Sequence, residues 1–324
     1  MMHDAIKNFN TQFEYEPKIE NQENLPKVTK YIIAGMGGSH LAGDLIKQWN
    51  PDPSLDLIIH HNYGLPVLPE DTLRQSLLIA SSYSGNTEEA IDACMQAQEK
   101  HIPVCVIASG GKLLSYAETN AIPYVRLPNP GIQPRSALGF STKGLLKIMG
   151  LDSALEQAKA LSWTLRPSDF ENEGRTLAFK LMEHIPIIYA SQKNEALAYN
   201  WKIKFNETGK IPAFYNTLPE LNHNEMNGFD VVSITRELSK KMLFLFLKDI
   251  SDDPRIIKRM AVLETIYRDR GLNIEIIECN GDNVLYKIFS SHLLADWTSY
   301  YIAEGYGLEA EKVPMVEEFK NLIK

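Results

Sequence analysis

Ser82, Ser84 and Thr87 place three hydroxyl groups within one short turn of this 324-residue chain. An apolar run at 77–80 reads as a buried strand before the turn, and a helical pattern follows it. The hydroxyls and the free backbone N–H groups of a helix start then converge on one point, an arrangement that binds phosphate. The turn has no lysine and no GxxxxGK[ST] pattern, which excludes a nucleotide P-loop. A phosphate held by hydroxyls and amides suits a sugar phosphate better than ATP. A second turn, Gly35-Met36-Gly37-Gly38-Ser39, also follows a strand and opens a helix. Glycines there let the backbone approach a ligand closely. It is not a dinucleotide fingerprint. His40 takes the place of the third glycine, and His60-His61 end the next strand where an acidic residue would hold a ribose. Each turn alone also fits ordinary strand-to-helix capping, but two of them at one sheet edge reinforce each other.

The chain downstream carries groups for proton transfer. Glu207 follows Trp201, Lys204 and Phe205 and precedes Thr208-Gly209, a helix-end signal. The negative partial charge of a helix C-terminus disfavours an ionised carboxylate, which suits a base that moves a proton between adjacent carbons. Glu220 and Glu225 compete for that role on residue type alone. His223 lies between Asn222 and Asn224, and an imidazole can exchange protons near neutral pH. No HxH or HExxH spacing surrounds it, which argues against a metal ligand. Arg135 follows Gly131-Ile132-Gln133-Pro134, and the proline biases Gln133 towards an extended backbone. Its planar guanidinium suits a carboxylate or a developing enediolate.

These groups need a scaffold, and the pattern of the chain supplies one. Strands are expected at 31–34, 57–60, 77–80, 104–108 and 124–127, alternating with helices at 39–49, 87–98, 112–118 and 137–149. After a helical connection the alternation resumes, with strands at 185–189, 242–247 and 274–277. Helices are expected at 196–205, 255–269, 284–304 and 315–323. Such alternation predicts an α/β fold with mainly parallel sheets covered by helices on both faces. The halves read as two copies of one architecture: an N-terminal arm at 1–28, a phosphate-binding subdomain at 29–150 and a second subdomain at 151–324. The turns of the second half carry Asp249, Asp252 and Asp253, which would repel phosphate, so one phosphate site per chain is expected.

Composition narrows the class. A hydrophobic content of 44% can build a core of ordinary size. The net charge of −8 disfavours nonspecific binding to nucleic acid or an anionic membrane. Three widely spaced cysteines form no disulfide framework, and no secretory leader or membrane span is legible. A cytoplasmic protein is expected.

The pair GMGGS and SSYSGNTEE resembles the sugar isomerase (SIS) domain. Within that superfamily the chain is most similar to the bifunctional phosphoglucose/phosphomannose isomerases. The segments Pro134-Arg135-Ser136-Ala137-Leu138-Gly139 and Asn206-Glu207 support the narrower match, as does the long segment from Pro212 through Asn216-Thr217-Leu218-Pro219 to Asn222-His223-Asn224-Glu225. The resemblance runs from about residue 30 to the C-terminus. It implies two three-layer αβα SIS-type subdomains and an aldose–ketose isomerase needing no metal or cofactor. Glucose 6-phosphate, and mannose 6-phosphate with it, would be converted to fructose 6-phosphate through a cis-enediol.

In the resemblance Gly38, Ser39, Ser82, Ser84 and Thr87 bind the phosphate. Glu207 is the base, and Arg135 stabilises the enediolate. His223 and Lys320, the latter in the terminal Val316-Glu317-Glu318-Phe319-Lys320, open the sugar ring. His223 would reach the site from the partner in a homodimer. The chain departs from the family at Lys312-Val313-Pro314, where members commonly show Asp-Pro-Thr-Pro, and at His40, where a small residue is usual. A threonine at the first departure accompanies room for either C2 epimer, so glucose 6-phosphate is the firmer of the two aldoses. Two other readings remain open: a sugar-phosphate sensor of the SIS type, and an isomerase of another sugar phosphate. Sensors usually carry a helix-turn-helix, for which the N-terminal residues are too few and too acidic.

Overall fold

The computed structural model describes residues 2–323. The chain divides into two compact units. One spans Asn8–Leu165, and the other comprises the residues up to Lys7 and those from Arg166 onward. The sequence reading divides the chain after 28 and after 150, whereas these contacts split the arm. Residues 8–28 pack with the first unit, and the helix Met2–Lys7 packs with the second. The burial of Ile6, Phe9 and Phe13 accounts for that partition, because the arm is an apolar strap and not a polar tail.

The first unit is built on six strands. They are β1 (Ile19–Glu20), β2 (Lys30–Ala34), β3 (Asp56–His60), β4 (Ser76–Ser81), β5 (Val104–Ala108) and β6 (Tyr124–Arg126). Their order across the sheet is β1-β6-β5-β4-β2-β3. All neighbours are parallel except the two-residue β1, which pairs antiparallel with β6 and caps that edge. Every residue of β4 is buried, the pattern of a strand covered on both faces. The helix Glu88–Glu99 lays Ala90, Ala93, Cys94 and Ala97 on the sheet, a row at helical spacing, with Ile91 half-buried beside it.

The second unit holds β7 (Ile185–Ser191), β8 (Phe214–Leu218), β9 (Met242–Lys248) and β10 (Asn273–Glu278), all parallel, in the order β10-β9-β7-β8. That order repeats β5-β4-β2-β3 of the first unit strand for strand, which bears out the reading of one architecture used twice. β8 is the strand the sequence pattern does not announce. It is short, sits at a sheet edge, and only Leu218 in it is buried. In both sheets the chain runs outward from its first core strand to one side and then to the other. This leaves a crevice at the carboxyl ends of β2/β4 and of β7/β9.

Candidate active site

In the first unit the two glycine/serine turns stand side by side at the ends of β2 and β4. The turn after β2 ends in the helix Gly38–Trp49, and the turn after β4 in the helix Glu88–Glu99. They are bonded to each other: Ser81 Oγ donates to the Ser39 carbonyl at 2.7 Å, and the Tyr83 N–H donates to Ser39 Oγ at 3.0 Å. Ser82 is fully buried and organises its own turn. Its Oγ donates to Thr87 Oγ1 at 2.8 Å and accepts from the Gly85 and Thr87 N–H groups at 3.1 and 3.4 Å. Ser84 is exposed and Thr87 half-buried. The hydroxyls therefore divide the work: Ser82 shapes the loop, Thr87 is half-buried and bonded to Ser82, and Ser84 is exposed. Sequence reasoning treats all of them alike.

Two glycines set the close approaches here. A Cβ on Gly38 would meet the Arg135 backbone nitrogen at 2.8 Å and the Pro134 carbonyl carbon at 2.9 Å. The Arg135 turn thus lies directly on the first turn of the helix Gly38–Trp49. Gly85 has a positive φ of 69°, and a Cβ there would meet the Gly110 carbonyl oxygen at 1.7 Å. The turn after β5 supports the serine loop from behind. Ser109 Oγ and N–H both donate to the Tyr83 carbonyl, and the Leu113 N–H donates to that of Gly85. Ser109, Gly110 and Gly111 are supporting positions that the sequence reading misses, although the glycine pair is a visible signal.

Arg135 is 1% exposed, held in the short turn Pro134–Ser136. The following helix, Leu138–Ile148, has no side-chain cap of its own. Gln12, itself buried, supplies one from the N-terminal strap. Its Nε2 donates to the Ser136 carbonyl at 2.6 Å, and its Oε1 accepts from the Gly139 N–H at 3.0 Å. His40 is buried too. Its Nδ1 lies 2.6 Å from Asp44 Oδ2, and its ring stacks on His61 with centroids 5.5 Å apart. That nitrogen is committed within the chain.

In the second unit Glu207 is half-buried and is the last residue of the helix Glu195–Glu207, as its helix-end signal predicts. Lys210 folds back so that Nζ donates both to the Glu207 carbonyl and, at 3.2 Å, to the Ala310 carbonyl. The root of the C-terminal segment is thereby tied to the end of the Glu207 helix. Lys320 is exposed on the helix Pro314–Leu322, and none of that helix is buried. His223 is exposed at the end of the turn Glu220–His223. Of the competing carboxylates, Glu225 has both oxygens engaged, by Tyr189 OH and Asn216 Nδ2, and Glu220 accepts from Asn224.

One turn before Glu207 lies a wholly buried ionic cluster. Lys204 Nζ is 2.6 Å from Asp296 Oδ1, and His292 Nε2 is 2.9 Å from Asp296 Oδ2. The first contact is an ion pair, and the second joins a ring nitrogen to the other oxygen of the same carboxylate. Asn200 Nδ2 lies 2.8 Å from His292 Nδ1, which assigns the ring proton to Nε2, facing Asp296. Burial works against the Asp296 carboxylate, but Lys204 and then His292 outweigh it and hold its pKa down to about 2. The same burial, with Lys204, lowers His292, so that the imidazole is neutral near pH 7.

The crevice at β7/β9 contains its own anion. Asp252 Oδ1 accepts from Ser191 Oγ at 2.8 Å and from Asn194 Nδ2 at 3.2 Å, and Lys287 Nζ is 2.7 Å from Asp249 Oδ1. Burial raises the Asp249 pKa, but the Lys287 ammonium and the Ser251 hydrogen bonds more than reverse that and hold it well below the carboxylate range. The aspartates follow β9, the strand that corresponds in the sheet order to β4, after which the first unit carries its serine loop. Cys94, Cys105 and Cys279 are buried and unpaired. Burial pushes all three thiols well up, so none is poised as a nucleophile. Among the described residues no three His, Cys, Asp or Glu side chains gather as a metal site, and no helix is long and apolar enough to cross a membrane.

Comparison with known proteins agrees with this geometry. Residues 170–323 match the family model of the bacterial phospho-glucose isomerase C-terminal SIS domain. The bifunctional phosphoglucose/phosphomannose isomerase of Aquifex aeolicus is 30% identical, over 99% of this chain and 97% of that one. The enzyme of the same name from Thermoplasma volcanium is 34% identical, over 92% of each chain. The chain belongs to the bifunctional phosphoglucose/phosphomannose isomerase family. The family's fold extends to more distant structures. The crystal structure of glucosamine-6-phosphate deaminase from Thermotoga maritima superposes with a TM-score of 0.67 at 15% identity, covering 97% of this chain and 96% of that one. The SIS-type α/β fold with mainly parallel sheets is thus found both in this isomerase-family chain and in its structural neighbours.

Proposed function

We propose that this chain is an aldose–ketose isomerase that interconverts glucose 6-phosphate and fructose 6-phosphate, with mannose 6-phosphate as a second aldose. The observation that carries this reading is the joined pair of turns after β2 and β4, with the buried Arg135 turn packed on Gly38, in a chain of this family. The Gly38 amide, Ser39, Ser84 and Thr87 hold the phosphate, with Ser82 shaping the loop and completing the set. His223 of the partner subunit and Lys320 open the ring. Glu207 carries the proton between C1 and C2, and Arg135 stabilises the negative charge of the cis-enediolate. The reaction needs no metal or cofactor.

The protein works as a homodimer in the cytoplasm. Two observations support the dimer. His223 is exposed and has no hydrogen bond or ion pair among the described residues. Met315, Phe319 and Leu322 form an uncovered apolar row on the helix Pro314–Leu322.

A coupled assay of the purified protein with each aldose 6-phosphate, with and without chelator, tests the proposal. Fructose 6-phosphate should form from glucose 6-phosphate in both conditions. No turnover of either aldose overturns the assignment, and loss of turnover with chelator overturns the metal-free mechanism. A sensor would bind these ligands without converting them.

A further inference from the structure

The chain between Leu218 and Phe229 is pinned to the core at both ends. Leu218 and Leu221 are fully buried, and Met226 and Phe229 pack against the same cluster around Phe244 and Tyr267. Between these pins Glu220, Asn222, Asn224 and Glu225 are bonded through their side chains within the chain. Asn224 Nδ2 donates to Glu220 Oε1 at 2.7 Å, and the Glu225 N–H donates to Asn224 Oδ1 at 2.6 Å. Asn222 Oδ1 accepts from Arg259 Nη1 at 3.5 Å. His223 and Asn227 are exposed and have no such bond among the described residues, and of the two only His223 carries a group that exchanges protons near neutral pH.

Glu225 turns inward from the same loop. Tyr189 OH donates to its Oε1 at 2.6 Å, and Asn216 Nδ2 donates to its Oε2. Both donors come from the sheet, Tyr189 from β7 and Asn216 from β8. The Tyr189 ring is itself fixed among Phe244, Phe246 and Tyr267, at centroid distances of 5.4, 5.6 and 6.3 Å. Burial, reinforced by Tyr267 and Glu225, pushes the Tyr189 phenol far above its ordinary range, so the hydroxyl keeps its proton and remains a donor. A carboxylate gripped by two donors on different strands makes shorter and stronger bonds than neutral partners would.

We infer that Glu225, clamped by Tyr189 and Asn216, is a positioning residue that fixes the loop two residues away so that the His223 imidazole is presented to the sugar ring. The inference rests on the proposed ring-opening role of His223. In that step the O1 hydroxyl loses its proton and C1=O1 forms. The C1–O5 bond breaks, its electron pair goes to O5, and O5 takes up a proton. The clamp holds the imidazole that relays the proton, and its own atoms take no part. A carboxylate usually reads as a candidate base. Here its two oxygens are consumed by donors, and its use is geometric.

Ring opening alone interconverts the α and β anomers of glucose 6-phosphate, so it can be measured apart from isomerisation by exchange NMR. Tyr189→Phe and Asn216→Ala each remove one donor to a different Glu225 oxygen, and the first keeps the aromatic packing. Each should slow protein-catalysed anomerisation by roughly 10²-fold, the effect of displacing a reacting group by about 1 Å. The KM for glucose 6-phosphate should stay within about twofold, since the phosphate is bound elsewhere. Glu207→Gln should retain anomerisation while losing isomerisation. The inference is overturned if a folded variant anomerises like the unaltered protein while His223→Ala does not, or if KM rises in step with the lost rate, as general loosening would produce. If the unaltered protein catalyses neither reaction, the functional reading fails and this inference falls with it. If only His223→Ala is without effect, the role of His223 is wrong while the isomerase assignment stands.

Discussion

Lys204→Met should destabilise the second unit more than any exposed substitution, and in a pH-dependent way. Lys204 and Asp296 are 0% and 1% exposed, 2.6 Å apart, and bridge the helices Glu195–Glu207 and Val284–Gly305. Removing the ammonium leaves the Asp296 carboxylate buried with only His292 beside it. Breaking a buried pair on one side costs about 3–5 kcal/mol, because the remaining charge is uncompensated. With a urea slope of about 2 kcal/mol/M, the unfolding midpoint should fall by roughly 1.5–2.5 M. Trp201 and Trp297 are both buried in this unit, so intrinsic fluorescence follows its unfolding.

The pH dependence carries the sharper test. In the intact protein Asp296 is depressed from 3.8 to about 2. Its ionised form therefore stabilises the fold above about pH 4, and that contribution is lost as the pH falls towards 2. Without Lys204 the dominant effect is burial, which favours the protonated acid. The variant then regains stability as the pH falls, and its deficit should shrink between pH 7 and pH 4. Adding Asp296→Leu to Lys204→Met should restore much of the loss at pH 7, since an apolar pair replaces a lone charge. A deficit that stays constant with pH, or a double variant less stable than the single one, would refute the reasoning.

Three further outcomes test the proposed site. Glu207→Gln should lower kcat by roughly 10²–10⁴-fold with little change in KM, read by steady-state kinetics, because it removes a proton acceptor and keeps the shape. Ser84→Ala should chiefly raise KM, because on the proposed reading the exposed hydroxyl would hold the far end of the substrate and do no bond chemistry; a selective fall in kcat would contradict this. Gly38→Ala should lower kcat and KM-normalised activity together, because its Cβ would press on backbone atoms of Pro134 and Arg135 at 2.9 and 2.8 Å and shift the guanidinium; wild-type kinetics would show that the turn yields freely.

Local pattern made the scaffold legible. Periodicity and glycine turns locate most strands, the serine loop and the helix end at Glu207. What escaped is what local pattern does not encode. β8 lies between Pro212 and Pro219, at a sheet edge, with little burial to produce an apolar run. The turn that holds Arg135 is closed by Gln12, which bonds the Ser136 carbonyl from 124 residues away. The Lys204–Asp296 pair joins two helices whose charged residues read, one by one, as solvent-facing. Lys210 reads as a loop lysine, yet it binds the carbonyls of Glu207 and Ala310. The contacts of Gln12 with Ser136, Lys204 with Asp296 and Lys210 with Ala310 join distant residues, and residue type alone does not distinguish such groups from surface ones.

The aspartates in the β7/β9 crevice show how a duplicated pocket can be retired without being dismantled. The second unit repeats the strand order and, after the corresponding strand, carries carboxylates tethered to the chain where the first unit carries hydroxyls. A tethered group acts at an effective concentration that dissolved ions do not reach, so free phosphate would not displace it. Titration with a phosphate-bearing ligand should accordingly saturate at one equivalent per chain. The duplication would thus have doubled the framework without doubling the binding stoichiometry, freeing one copy to evolve proton-transfer groups while the other kept hold of the ligand.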